Sequence, residues 1–144
     1  MEQDLLTTAL HIAMNAHDGQ VDRAGKPYIF HPLTVATMTG SFDEFVTALL
    51  HDVMEDSDYT EESLRLEGIP EHIIEALRLL THEKSEPYMD YVRRLRHNPL
   101  ARSVKLADLK HNSDLSRLPE ITEKDRERAE KYKKAMSILA EGQE

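Results

Sequence analysis

The sequence predicts an all-α protein made of a single domain. Its 144 residues fit one domain of ordinary size. Apolar residues recur at helical spacing along most of the chain, and residues typical of helix N-termini precede several of these segments. No convincing strand pattern and no repeat appears. We expect one domain over residues 1–140 and a frayed tail over residues 141–144.

The first predicted helix covers residues 3–17, where leucine, isoleucine and alanine recur at mixed helical spacing. Residues 18–30 contain two glycines and a proline, which is typical of a loop. A second helix is expected to start near His31 and Pro32, because proline is tolerated in the first turn of a helix.

The third predicted helix begins at a capping box, with Ser41 as N-cap and Glu44 three residues later. The apolar run that follows is expected to continue as helix through His51 and Asp52.

Helix-start signals also divide the second half of the chain. Thr60, Pro70, the pair Asn98-Pro99 and Thr122 are all typical of helix N-termini, and Gly68 and Pro119 are typical of helix ends. The predicted helices are 61–67, 70–80, 86–97, one from Pro99 that carries Asp108, and one from Thr122 to about Ala140.

Four polar residues crowd the end of the apolar run: His51, Asp52, Glu55 and Asp56. Residues three and four apart share one face of a helix, so all four are expected to lie on the same side. Three neighbouring carboxylates repel one another and are costly to remove from water. A bound divalent cation is the simplest way to stabilise such a cluster.

Two more residues are expected to complete this site, His31 and Asp108, each of which is flanked by apolar residues. Together, His31, His51, Asp52 and Asp108 form a mixed nitrogen and oxygen ligand set. Such a set suits Mn, Fe, Co or Zn better than Ca, and the sequence offers no cysteine sulfur. The alternatives to metal binding are that His31 is a partly buried loop histidine and that Asp108 is a solvent-facing acid paired with a lysine.

The order of these residues, H…HD…D, resembles the signature of the HD-domain metal-dependent phosphohydrolases. Four blocks narrow the resemblance to the hydrolase domain of the RelA/SpoT family: residues 16–20, 25–33, 49–56 and 104–112. The similarity runs from about Leu5 to Leu118. It implies an HD-domain helical bundle, a divalent metal that is most often Mn, and removal of pyrophosphate from the 3′ position of guanosine tetra- and pentaphosphate.

The resemblance also implies roles for residues beside the metal ligands. Glu55 and Asp56 are the expected catalytic acids, one turn beyond His51 and Asp52, where a carboxylate can orient water or accept its proton. Asn112 is expected to contact the sugar region of the nucleotide. Lys105 can neutralise substrate phosphate or pair with Asp108.

The loop before His31 offers two further candidates for phosphate binding, Arg23 and Lys26, although basic residues are routine on surface loops. This loop also departs from the family pattern, because Asp22 stands where the family usually has an arginine that packs on the guanine. Leu115 stands where the family often has a threonine that helps to hold the nucleotide. We therefore expect weakened binding of guanosine polyphosphates.

Two alternatives to guanosine polyphosphate hydrolysis stay open. One is an HD phosphohydrolase of another phosphorylated small molecule, and the other is a metal-binding regulatory module without turnover.

Composition limits the partners. The formal net charge is −9, which disfavours nucleic acid as a partner, because phosphate backbones select basic surfaces. No apolar stretch approaches the ~20 residues of a membrane span, and no signal segment is apparent. With no cysteine, a cytoplasmic location is expected. The sequence does not specify an oligomeric state.

Overall fold

The structure is a computed structural model that describes residues 2–141, with side chains for residues 4–116 and 118–141. Over this range the chain is helical, and its one β pairing is an isolated bridge between Val21 and Pro27. The all-α prediction is confirmed. The helices are α1 Glu2–Ala16, α2 Phe30–Thr37, α3 Phe42–Leu50, α4 Val53–Asp56, α5 Glu61–Leu66, α6 Glu71–Leu80, α7 Tyr88–Leu95, α8 Pro99–Ser113 and α9 Glu123–Ala140.

The predicted N-caps of α5, α8 and α9 are confirmed. The Thr60 hydroxyl accepts from the Ser63 amide, the Asn98 side chain from the Ala101 amide, and the Thr122 hydroxyl from the Asp125 amide. These bonds satisfy amides that have no partner within their own helix, which explains why the helices begin where the sequence places them.

The cap of α3 is confirmed only in part. Ser41 Oγ accepts from the Glu44 amide at 3.2 Å, as expected. The Glu44 carboxylate, however, accepts from the Gly40 amide at 3.3 Å rather than from the Ser41 amide, so the reciprocal bond of a capping box reaches one residue further back.

The prediction that α3 carries His51 and Asp52 is wrong. Helix α3 ends at Leu50, where the His51 amide bonds to the Ala48 carbonyl three residues back, and Asp52 has φ −104° and ψ 0°. These values lie in the bridge region that turns occupy. The two residues form a turn, and Glu55 and Asp56 lie on a separate one-turn helix, α4.

Packing brings three helices together around one point. Helices α2, α3 and α8 contact one another, and α3 also packs against α1 and α6. Buried aliphatic side chains such as Val35, Leu49, Leu50, Val104 and Leu109 fill the space between them. Since His31 lies in the first turn of α2, His51 follows α3 and Asp108 lies within α8, this packing places all three in the same part of the core.

Several helix bounds differ from the predicted ones by one or two residues, and two further segments differ for a reason that hydrogen bonds show. Helix α8 ends at Ser113 rather than at Pro119, because the Asp114 side chain caps a short 3-10 turn over Leu115–Arg117. Glu141, predicted to belong to a frayed tail, donates its amide to the Ser137 carbonyl. Residues 142–144 of that predicted tail lie outside the described residues.

None of the described helices combines the length and the apolar character that crossing a membrane requires.

Candidate functional site

Three buried side chains converge at the junction of α2, α3 and α8. His31 Nε2 lies 2.8 Å from Asp108 Oδ1, and His51 Nε2 lies 3.3 Å from the same oxygen. The potential ligand atoms of His31, His51 and Asp108 all lie within 4.8 Å of one another. This cluster could bind a divalent metal ion, because two imidazole nitrogens and a carboxylate oxygen meet at one point.

Asp52 lies at the edge of the same cluster. Its Oδ2 is 3.1 Å from His51 Nε2 and 3.7 Å from His31 Nε2. The Tyr28 hydroxyl donates to this oxygen at 2.6 Å, which fixes the carboxylate toward the two histidines. All four residues that the sequence suggested as metal ligands therefore lie together.

Hydrogen bonds outside the cluster orient both imidazole rings. His51 Nδ1 lies 2.5 Å from the Ala48 carbonyl, so Nδ1 carries the proton and Nε2 points into the cluster. His31 Nδ1 lies 2.7 Å from His111 Nδ1, and the two rings are stacked. Histidines that bind metals typically have such a contact at the nitrogen that faces away from the ion. These two histidines are therefore suited to hold a divalent ion.

The charges around Asp108 explain how a carboxylate is tolerated in the core. Burial alone would raise its pKa, but the Lys105 ammonium and the two histidines hold the pKa of Asp108 well below its usual range. Lys105 Nζ donates to Asp108 Oδ2 at 2.9 Å, and the Asn112 amide donates to Oδ1 at 3.0 Å. Asp108 therefore connects the cluster with two of the predicted substrate-binding residues.

Glu55 lies beside the cluster on the side of Lys105. It shares a small cavity of about 110 Å³ with His51, Asp52 and Lys105. Its Oε1 accepts from the His82 amide at 2.5 Å, which holds the carboxylate in place. Partial burial, with a contribution from Asp52, raises the pKa of Glu55 despite that bond.

The charged neighbours of Asp56 differ from those of Glu55. Partial burial and Asp52 raise the pKa of its carboxyl, whereas His17, His51 and His31 oppose that rise. Its backbone carbonyl accepts from the Gln20 side chain at 2.9 Å, which ties α4 to the loop after α1. Glu55 and Asp56 thus have different surroundings instead of sharing one helix face.

A second and larger cavity, of about 260 Å³, lies on the other side of Tyr28 and Asn112. Arg23, Tyr132 and Leu115 also line it. The Arg23 guanidinium donates to Asp125 at 2.8 Å. Since Tyr28 and Asn112 bond to the carboxylates of Asp52 and Asp108, this cavity adjoins the His/Asp cluster directly.

The structure separates Lys26 from the other predicted substrate-binding residues. Lys26 is exposed, and its side chain does not line the cavity that holds Arg23. Its backbone closes the loop, because its carbonyl accepts from the Asp22 amide at 2.8 Å and its amide donates to the Asp22 carboxylate at 3.0 Å. Asp22 therefore organises this loop.

Four polar residues around the site were missed as site residues by the sequence interpretation: Tyr28, His82, His111 and Asp125. Tyr28 and His111 could have been found, since each lies three residues from a predicted metal ligand. Tyr28 lies in the turn that leads to His31, and His111 shares a face of α8 with Asp108. His82 and Asp125 gave no such signal, because their partners Glu55 and Arg23 are distant in sequence.

Comparison with known proteins identifies relatives of the chain. It is 33% identical, over 115 residues, to the guanosine-3′,5′-bis(diphosphate) 3′-pyrophosphohydrolase of Haemophilus influenzae. It is 28% identical, over 121 residues, to the bifunctional (p)ppGpp synthase/hydrolase SpoT of Escherichia coli. These alignments cover 70% and 74% of the chain and 17% of each relative, so the chain spans about a sixth of their length. No family model matches the chain.

The fold comparison covers nearly the whole chain. A solved metazoan ortholog of SpoT that hydrolyzes ppGpp superposes with a TM-score of 0.75 and 25% identity, over 94% of this chain and 85% of that one. An all-α bundle with a buried His/Asp cluster between its helices is the architecture of an HD-type hydrolase domain. The chain belongs, by sequence and by fold, to the HD-type hydrolase domains related to RelA and SpoT.

Proposed function

We propose that this protein is a metal-dependent phosphohydrolase that removes pyrophosphate from the 3′ position of guanosine 3′,5′-bispyrophosphate. The observation that carries the proposal is the convergence of His31, His51 and Asp108, with Asp52 beside them, between two cavities. The relatives' names support the choice of substrate. We place the activity in the cytoplasm, which suits a sequence without cysteine.

His31, His51, Asp52 and Asp108 are the residues that would hold the ion, with Mn as the first choice and Fe, Co or Zn as alternatives. A divalent ion held there would polarise a phosphoryl oxygen and would make a neighbouring water more acidic. The protein contributes the orientation: the Ala48 carbonyl fixes the ring of His51, and the Tyr28 hydroxyl fixes the carboxylate of Asp52.

Glu55 is the residue that we assign as general base. The His82 amide holds one of its oxygens, so its other oxygen can orient a water beside the cluster and accept a proton from it. Its raised pKa makes it a stronger base than an ordinary glutamate. Asp56, whose neighbours include His17, is assigned to a second acid/base or water-orienting role.

The two cavities divide the substrate between them in this proposal. Lys105, in the smaller cavity with Glu55, would bind and neutralise phosphoryl oxygens as pyrophosphate departs. The larger cavity, with Arg23 and Asn112 in its wall, would receive the nucleoside. Its volume of about 260 Å³ is near the lower end of the ~300–1,000 Å³ usual for ligand sites. Lys26 does not line this cavity, so it would contact a phosphate group of the substrate only outside it.

A specific observation favours one alternative, an HD phosphohydrolase of a different phosphorylated small molecule. Asp22 and Leu115 both line the cavity that would receive the nucleoside, and both depart from the family pattern. A substitution at this place changes which nucleoside is accepted without changing the cluster that would cleave the phosphate.

A nucleotide panel tests the proposal. The purified protein is loaded with Mn and incubated with guanosine 3′,5′-bispyrophosphate, GTP, GDP, ATP and nucleoside monophosphates, and the products are identified by chromatography. We expect GDP and pyrophosphate from the first compound and slower reactions with the others. Preferential hydrolysis of another nucleotide would favour the alternative substrate, and no hydrolysis with Mn, Fe, Co or Zn would favour a regulatory module.

A further inference from the structure

One carboxylate, that of Asp125, joins two distant parts of the chain at the rim of the larger cavity. Its Oδ1 accepts from Arg23 Nη1 and from Arg128 Nη2, each at 2.8 Å. Its Oδ2 accepts from the amide and the hydroxyl of Thr122, each at 2.9 Å. Asp125 therefore does two separate things: one oxygen caps α9, and the other holds the loop that carries Arg23.

The bond to Arg23 matters because, among the residues whose side chains are described, Asp125 is the one that hydrogen-bonds to the Arg23 side chain. Its loop is exposed and the side chain itself is 53% exposed, whereas the Asp125 side chain is 9% exposed. A half-exposed arginine samples many rotamers, and ordering it on binding costs free energy. Asp125 removes much of that cost in advance by holding the guanidinium against the cavity.

The groups that line the cavity indicate which part of a nucleotide it accepts. The guanidinium groups of Arg23 and Arg128 lie in its wall, and each is already paired with the Asp125 carboxylate. The planar face of a guanidinium and the ring of Tyr132 suit an uncharged planar base.

We propose that Asp125 is a positioning residue, which fixes the Arg23 guanidinium as a preformed wall for the nucleobase. The inference rests on the proposed function in taking a nucleotide as the ligand, and it adds a residue that acts through Arg23 and not on the phosphates. Asp125 does not touch the ligand itself, and Arg23 does.

Binding to the Mn-loaded protein separates this role from catalysis. The probes are GDP, which lacks the 3′ pyrophosphate, and inorganic pyrophosphate, which lacks the base; calorimetry gives their dissociation constants. Asp125→Asn should weaken the binding of GDP about two- to tenfold, as expected for losing one pre-ordered side chain, and should leave the binding of pyrophosphate unchanged. Asp125→Glu, which keeps the charge and suits a capping box, should restore GDP binding.

The matched control is Thr122→Ala, which removes the cap of α9 but leaves the bond to Arg23. It should not change GDP binding, even though it lowers the melting temperature. In an Arg23→Ala background, Asp125→Asn should have no further effect on GDP.

Four results with the variants would overturn the inference. They are unchanged GDP binding by Asp125→Asn, an equal loss in Thr122→Ala, an equal loss of pyrophosphate binding, and additive effects with Arg23→Ala. Lack of GDP binding by the wild type would overturn it too. If the expected GDP pattern occurs but guanosine 3′,5′-bispyrophosphate is not hydrolysed, the proposed function fails and the role of Asp125 stands.

Discussion

The His/Asp cluster and the rim of the larger cavity are built in opposite ways. The cluster is buried: the side chains of His51 and Asp108 are 3% and 5% exposed, and α3, which His51 follows, packs against α8, which carries Asp108. The rim is exposed. Arg23 lies there on a loop, and a single carboxylate, that of Asp125, holds its side chain in place. One part of the site is fixed by the core, and the other by a few surface hydrogen bonds.

This difference predicts how each part responds to mutation. A change in the cluster leaves charges buried without partners, so it affects folding, metal binding and activity together. A change at the rim alters ligand affinity and leaves the fold intact. The same contrast would let Asp22 and Leu115, which we expect to differ from the family pattern, vary without disturbing the four predicted metal ligands.

Asp108→Ala should have the largest effect of any substitution in the cluster. It leaves the ammonium of Lys105 and two histidines buried without their carboxylate, and breaking a buried pair in this way typically costs roughly 3–5 kcal/mol. The free energy of unfolding from urea titration, with metal analysis of the folded fraction, measures both losses.

The matched control for Asp108→Ala is Asp90→Ala. Asp90 makes the same i,i+3 pairing with Arg93 on an exposed face of α7, where little stability depends on it. Equal losses in the two variants would mean that burial does not distinguish the cluster.

Glu55→Gln should keep the ion and the fold while lowering turnover by about 10²–10⁴-fold, the usual value of a positioned acid/base. A general base must be ionised, so activity is lost as the pH falls through its pKa. Because the pKa of Glu55 is raised, the acid limb of the wild-type kcat profile should lie above the ~4.3 of an unperturbed glutamate, and Glu55→Gln should lack it.

Asp58→Asn, at an exposed acid just beyond α4, serves as the control for Glu55→Gln and should behave as the wild type. Full activity of Glu55→Gln at saturating Mn would remove Glu55 from the mechanism and leave Asp56 as the residue to test.

Tyr28→Phe should have an intermediate effect, because it removes only the hydrogen bond that orients Asp52. Loss of such an outer contact typically weakens metal binding by about 10–100-fold. Competition with a fluorescent chelator measures the affinity, and Tyr59→Phe, in a tyrosine packed on the core elsewhere, is the control. Unchanged affinity in Tyr28→Phe would mean that Asp52 needs no such support.

Asp22→Asn should have the smallest effect, and it tests the rim alone. The Asp22 carboxylate accepts from the Ala24 and Lys26 amides, and asparagine keeps an acceptor for both while removing the charge. Affinity for guanosine 3′,5′-bispyrophosphate should improve about two- to fivefold, in line with the ~1 kcal/mol interaction of two unit charges at short range in water.

Arginine at position 22 is a poorer test than asparagine, because it would also open the loop. The Asp22→Ala variant, which also loses the acceptor for the loop amides, should therefore bind guanosine 3′,5′-bispyrophosphate more weakly than the Asp22→Asn variant. If Asp22→Asn binds no better than the wild type, the charge of Asp22 does not govern selection.

The sequence predicted the cluster better than it predicted the rim. The apolar segments around His51, Asp52 and Asp108, together with the resemblance to the HD signature, were enough to suggest residues that meet in the core. The break after Leu50 was not predictable from that pattern, since the apolar run continues through the turn. The bond between Arg23 and Asp125 joins residues 102 positions apart, and no local pattern encodes it.

The most direct test of the account is to measure bound metal and pyrophosphate release in the same samples. The protein is stripped with a chelator, Mn is added back in steps, and both quantities are followed with guanosine 3′,5′-bispyrophosphate as substrate. The account predicts that activity rises in proportion to bound Mn and saturates at one ion per chain, and that Asp108→Ala shows neither. Full activity in the stripped protein, or one tightly bound ion in Asp108→Ala, would contradict it.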